Sequence, residues 1–180
     1  MMEKTEQGLG RLCVIGDPVE HSKSPLIQNA MIAKLGIPYH YTKRLVHQGD
    51  TQEWLDTARR EGFAGFNATM PHKVALVPLM DELGEDARLY GAVNTVKCGE
   101  HLVGYNTDCV GFLRALEDAK IPLAGKILLC GAGGAAHMMA FEAALAGCSL
   151  TIAARPSGLA RAEKLAQEIR QKLPGAFVCV

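Results

Sequence analysis

The sequence predicts an α/β protein in two parts, and three observations carry that prediction. Short apolar runs of strand length alternate with amphipathic stretches of helix length along the 180 residues. The glycine-rich turn Gly131-Ala132-Gly133-Gly134-Ala135-Ala136 lies between an apolar run and a helix-length segment, as the first turn of a Rossmann-like parallel sheet requires. The stretch "KIPLAG" at 120–125 marks a linker, so the expected parts are 1–120 and 121–180. The second part stops inside its third strand. That is only half of a dinucleotide-binding sheet, and the chain reads as part of a longer protein.

Taken in order, "RLCVIG" (11–16) is a buried strand. It leads through "DPVEHSKSP" into a helix over about 25–35, with Ser24 as N-cap, Pro25 at the first helical position and Gly36 at the stop. "YHYTKRLV" (39–46) is the second strand, and Asp50 with Glu53 predicts a capping box for a helix ending near Gly62. "GFNAT" is the third strand, and Pro71 starts another helix. "AVNTVKC" (92–98) and "HLVGYN" (101–106) read as a hairpin turning at Gly99-Glu100, followed by a helix over about 108–119. Beyond the linker come a strand, the glycine turn, a helix, the strand "SLTIAAR", a helix at 158–173 and the strand "AFVCV".

Composition narrows the function classes. With 48% hydrophobic and 21% charged residues the chain can bury a core. Lys plus Arg and Asp plus Glu are 19 each, with no basic cluster, which argues against nucleic acid and anionic membrane as partners. No apolar stretch is long enough for a transmembrane helix, and "MMEKTEQGLG" lacks a signal-peptide core. The six cysteines show no CxxC spacing, and the six histidines form no HxxxH or HExxH pair. A reducing cytoplasmic location and no metal are expected. Monomer and homodimer both remain open.

Each candidate site residue has a structural alternative. In the glycine turn, Gly131 permits the tight bend and Gly133 lets the backbone approach a pyrophosphate. Gly134, Ala132 and Ala135 complete the loop, and Ala136 keeps the helix close to its strand. The second strand ends in Ala153 and Ala154, where an NAD site usually carries an acidic residue. Arg155 follows, with Arg161 further on, and both suit a 2′-phosphate, so NADP is favoured over NAD. A solvated arginine at a helix start is the alternative. Ser22 and Ser24 either cap a helix or donate to a substrate carboxylate. Asp108 either caps a helix or partners a catalytic group. Asn94 and Thr95, inside a predicted strand, either bind a ligand or face solvent. His72, on the first turn of a helix, is expected at the surface.

Together, "HSKSP", "NATMPHK", "GAVNTV", "GYNTD" and "GAGGAA", in this order and spacing, resemble the shikimate dehydrogenase family from about Leu12 to Arg155. The resemblance implies a substrate domain beside a Rossmann-like cofactor domain, with the active site in the cleft between them. It also implies reversible, NADP-dependent reduction of 3-dehydroshikimate to shikimate. It makes Lys73 the catalytic lysine and Asp108 its partner. Ser22 and Ser24 match the hydroxyls that hold the substrate carboxylate, while Asn67, Thr69, Asn94 and Asp108 match the polar wall around the ring hydroxyls. The family commonly carries Asn-Arg-Thr after the second strand of the cofactor domain; here Ala154-Arg155-Pro156 keeps only the arginine. The family also continues well past residue 180. Quinate with NAD, or shikimate binding without turnover, are the other functions the sequence allows.

Overall fold

The computed structural model describes residues 8–180; most of the polar opening stretch lies outside the described residues. The first compact unit, Met1–Asn106, begins with β1 (Gly10–Gly16), α1 (Ser24–Leu35), β2 (Tyr39–Leu45), α2 (Thr51–Arg60), β3 (Phe63–Ala68) and α3 (His72–Ala75). A short 3-10 turn follows, then β4 (Glu82–Leu83), α4 (Glu85–Tyr90), β5 (Thr95–Lys97) and β6 (Val103–Tyr105). The sheet order is β2-β1-β3-β5-β6-β4. β1 runs parallel to β2 and β3, and β5 runs antiparallel to β3 and β6.

The unbroken apolar run of β1 has a simple cause: the strand is covered on both faces. Cys13 and Ile15 enter a core with Trp54, Leu55, Phe66 and Val93. Val14 points the other way, to Val19, Ile32 and Tyr41. Trp54 meets Phe63 and Phe66 edge-on, with centroids 5.3 and 5.7 Å apart.

The second unit, Thr107–Val180, contains α5 (Asp108–Asp118), β7 (Lys126–Cys130), α6 (Gly134–Leu145), β8 (Ser149–Ala153), α7 (Leu159–Lys172) and β9 (Val178–Cys179). Its three strands are all parallel, in the order β7-β8-β9. Leu150 and Ile152 of β8 are buried, whereas Ser149, Thr151 and Ala153 are exposed. The same alternation leaves Leu128 of β7 65% exposed. This is the first part of a Rossmann-like sheet, packed on one face. Packing divides the chain before α5, earlier than the linker at 120–125, because α5 packs on α6.

Several local expectations change. Ser24 is the first residue of α1; the N-cap position is Lys23, which makes no side-chain cap. The Ser24 N–H instead donates to Ser22 Oγ at 3.3 Å. Asp50 is the N-cap of α2 but makes no side-chain cap, so the box with Glu53 does not close. β5 is shorter than 92–98, and Asn94 precedes it. Asn94 still joins its neighbours through the backbone: its N–H donates to Tyr105 O at 2.9 Å, and its carbonyl accepts from Ala68 N–H at 2.9 Å.

Candidate active site and cofactor site

In the first unit, the ends of β1 and β3 and the start of β5 bring most of the expected substrate residues onto one framework. Thr69 N–H donates to Ile15 O at 2.9 Å, and His72 N–H donates to Thr69 O at 3.0 Å, carrying the chain from β3 into α3. Close approach fixes Gly16 here, since a Cβ on it would lie 2.4 Å from Thr69 Cγ2. Lys73 is on α3, where its carbonyl accepts from Val93 N–H at 2.8 Å. The backbone on which Lys73 rides is thereby tied to the segment that carries Asn94.

Asn67, on β3, uses both ends of its amide. Its Nδ2 donates to Asn94 O at 3.3 Å and to Thr95 Oγ1 at 3.0 Å. The Thr95 hydroxyl then donates to Asn94 Oδ1 at 2.9 Å. These polar side chains form one connected wall, and Asn94 is buried within it. At the start of α1, Ser22 Oγ donates to Ser24 Oγ at 3.2 Å, so the two hydroxyls are neighbours as well as near in sequence. Asn106 is also buried, its Nδ2 donating to Ala92 O at 3.0 Å. That bond anchors the chain two residues before Asp108, which is the first residue of α5 and so lies just inside the helix, after the N-cap position at Thr107.

His72 corrects the sequence reading. It is 1% exposed, not a surface residue. Its Nε2 lies 2.8 Å from Val46 O and its Nδ1 3.0 Å from Thr51 Oγ1. A carbonyl can only accept, so Nε2 carries the hydrogen that bonds Val46 O, and Nδ1 is hydrogen-bonded with the Thr51 hydroxyl. Both ring nitrogens are engaged inside the fold, which makes His72 a structural residue. The sequence offered no signal for this, because both partners lie more than twenty positions away.

In the second unit, β7 runs into the glycine turn and then α6. Gly131 has φ +107°, which side-chain-bearing residues rarely adopt, and its N–H donates to Ala153 O at 2.7 Å. Gly133 is the N-cap of α6, and a Cβ built on Gly133 or Gly134 would meet nothing within 4 Å. The space over the loop is therefore open to a ligand. A cavity of about 460 Å³ is lined by Gly131, Ala132, Ala153, Arg155, Ser157 and Arg161, among others. The end of β8 contributes no acidic side chain, and two guanidinium-bearing residues line the same cavity. This set fits a dinucleotide with a phosphorylated ribose: backbone and a helix start for the pyrophosphate, cations for the extra phosphate. Gly134 and Ala135 open α6 beside it. Ser157 is a lining residue that the sequence analysis missed. It sits in a 3-10 turn, Pro156–Gly158, that a strand–helix reading passes over.

Residues 14–96 match the family described as shikimate dehydrogenase substrate binding domain. That span holds Ser22, Ser24, Asn67, Thr69, Lys73 and Asn94. A shikimate dehydrogenase (NADP(+)) of Geobacter metallireducens is 43% identical over 159 residues, covering 87% of this chain and 55% of the relative. The chain is similar to shikimate dehydrogenases along most of its length. Among solved structures, shikimate 5-dehydrogenase from Listeria monocytogenes, in complex with shikimate and NAD, superposes with a TM-score of 0.90 at 33% identity. The match covers 100% of this chain and 64% of that one. Shikimate 5-dehydrogenase from Thermus thermophilus, in complex with NADP(H) and shikimate, gives 0.82 at 35% identity, over 96% of this chain and 63% of that one. The chain thus spans somewhat more than half the length of the proteins it matches, in keeping with a cofactor domain that is incomplete here. Among the described residues, no helix is long and apolar enough to cross a membrane.

Proposed function

We propose that the protein acts as a shikimate dehydrogenase, reversibly reducing 3-dehydroshikimate to shikimate with NADP. The observation that carries this reading is the connected Asn67–Thr95–Asn94 wall, tied through Val93 to the helix that bears Lys73. A carboxylated polyol needs several directional donors and acceptors, and reduction of its ketone needs one proton donor near the reacting oxygen. Ser22 and Ser24 take the substrate carboxylate, and Asn67, Thr69 and Asn94 take the ring hydroxyls. Lys73 gives its proton to the carbonyl oxygen during reduction and recovers it in the reverse direction. Asp108 is assigned as its acidic partner on the family resemblance. Bound NADP supplies or accepts the hydride. Arg155 and Arg161 hold the 2′-phosphate, while Gly131 to Ala135 place backbone N–H groups against the pyrophosphate. The substrate is a small molecule, and the cytoplasm is the expected location.

The deciding experiment is Lys73→Ala in a protein carrying the complete cofactor domain. Turnover should fall by about 10²- to 10⁴-fold, the usual contribution of a positioned acid/base, with substrate affinity less affected. Near-normal turnover would remove Lys73 from the mechanism.

A second reading, quinate and shikimate oxidation with NAD, draws on Ala154 and Pro156 flanking Arg155 and on the NAD held by the Listeria structure. Catalytic efficiencies for shikimate and quinate with each cofactor separate the two. Calorimetric binding of shikimate with no turnover in any pairing would instead identify a non-catalytic binding protein.

A further inference from the structure

Tyr41 carries no role in the reading above, yet it touches the polar wall directly. It lies on β2, the strand at the edge of the six-stranded sheet, and is 4% exposed. Its hydroxyl is 2.6 Å from Asn67 Oδ1. The direction of that bond follows from its neighbours. Asn94 O can only accept, so the NH2 end of the Asn67 amide must face it, and Oδ1 must face Tyr41. The phenol is therefore the donor. Burial, with a smaller effect of Cys13, pushes its proton affinity above the ordinary tyrosine range, so the donor persists at any working pH.

We propose that Tyr41 is a positioning residue for the substrate pocket, holding the Asn67 amide in one orientation and, through Thr95, setting which end of the Asn94 amide presents its donors. With the hydroxyl in place, Asn67 Oδ1 has a partner and Nδ2 is directed to Asn94 O and Thr95 Oγ1. The Thr95 hydroxyl accepts from Asn67 and so has its own hydrogen for Asn94 Oδ1. The NH2 end of Asn94 is then turned to the opposite side. Without the phenol, Asn67 Oδ1 would lose this donor and the amide would be held from its Nδ2 side alone, so the wall would be less firmly placed. Tyr41 is itself fixed from outside the sheet. Asn29 of α1 donates from Nδ2 to Tyr41 O at 2.8 Å and accepts Tyr41 N–H at its Oδ1 at 2.9 Å. The same helix starts at Ser24, so one relay joins the carboxylate end of the pocket to its ring-hydroxyl wall.

This inference rests on Asn67 belonging to the substrate pocket, and a double-mutant cycle tests both statements separately. Tyr41→Phe, Asn67→Ala and the double variant are made in a protein carrying the complete cofactor domain, and the KM values for shikimate and NADP are measured. Asn67→Ala and Tyr41→Phe should each raise the shikimate KM, the latter by about tenfold, the scale of one hydrogen bond. Tyr41→Phe should add nothing in the Asn67→Ala background, and the NADP KM should stay put in all three. A lower melting temperature with an unchanged shikimate KM in Tyr41→Phe, or an effect that simply adds to that of Asn67→Ala, would overturn the role of Tyr41 alone. An unchanged shikimate KM in Asn67→Ala would remove Asn67 from the pocket and Tyr41 with it.

Discussion

The chemistry of single residues here depends on how many of their polar atoms the fold has already engaged. His72 and Lys73 are adjacent in sequence, but the ring of His72 is committed to Val46 and Thr51. Reactivity therefore cannot be read from residue type and proximity in the chain. Arg155 belongs to the opposite case. It lines the cavity next to the glycine turn, where Ala153 has no side chain that could bind a ribose hydroxyl. If Arg155 pairs with the 2′-phosphate, Arg155→Ala should weaken NADP binding by roughly ten- to a hundredfold through loss of a charge-assisted bond, and leave NAD binding nearly unchanged. The ratio of the two catalytic efficiencies is the measurement. An unchanged ratio would pass the role to Arg161 or to a residue elsewhere in the full cofactor domain.

At the scale of elements, the second unit has a polar clasp between its helices. Glu168 of α7 lies 3.1 Å from His137 Nε2 on α6 and 3.0 Å from Lys172 Nζ one turn further along α7. Burial by itself would raise the Glu168 carboxyl, but the hydrogen bonds from Lys172 and His137 outweigh it and hold the carboxyl below its ordinary value of 4.5. The sign of the pH effect follows. A carboxyl whose folded value is depressed stabilises the fold above the unfolded value, and that stability is lost as pH falls through the folded one. Glu168→Gln should therefore cost about 0.5–1.5 kcal/mol at neutral pH, or a few degrees in Tm. The difference from the unmodified protein should close as pH drops below about 4.5. Melting curves over a series of pH values from about 7 downward check this, and a gap that did not begin to narrow below pH 4.5 would exclude the clasp as its source.

For the molecule as a whole, the two sheets differ in how thoroughly they are covered. β1 buries Cys13 and Ile15 on one face and Val14 on the other. β7 and β8 bury Leu150 and Ile152 on one face but expose Leu128 and Thr151 on the other. Amide exchange tracks local opening, which is rarest where apolar cover is complete. Exchange in the 180-residue chain should be slowest in β1 and β3 and measurably faster in β7 and β8. Mass-resolved exchange by peptide would show the order, and equal protection in β8 would mean that one-sided cover suffices. In a chain of the relatives' full length, the β7 and β8 amides should slow.

Most of the order of strands and helices was legible in the sequence because those elements rest on local physics, whereas the short β4 and α4, in a polar stretch, were not anticipated. Apolar periodicity placed β1, β8 and α7 correctly to within a residue or two. Glycine and proline marked the turns, and the run from Gly131 to Ala136 falls at the turn from β7 into α6, with Gly131 at positive φ, as its glycine pattern led us to expect. What stayed hidden was set by partners distant in the chain. Ser24 lost its capping role to Ser22, and the Asp50–Glu53 box stayed open. His72 was drawn inside by Thr51 and Val46. Tyr41 reached Asn67 across β1, a contact between strands whose adjacency no local pattern encodes. Residue type and spacing determined which chemical groups the protein possesses. Only the tertiary structure decided which of them meet, because a hydrogen bond needs about 3 Å and a direction, and sequence separation specifies neither.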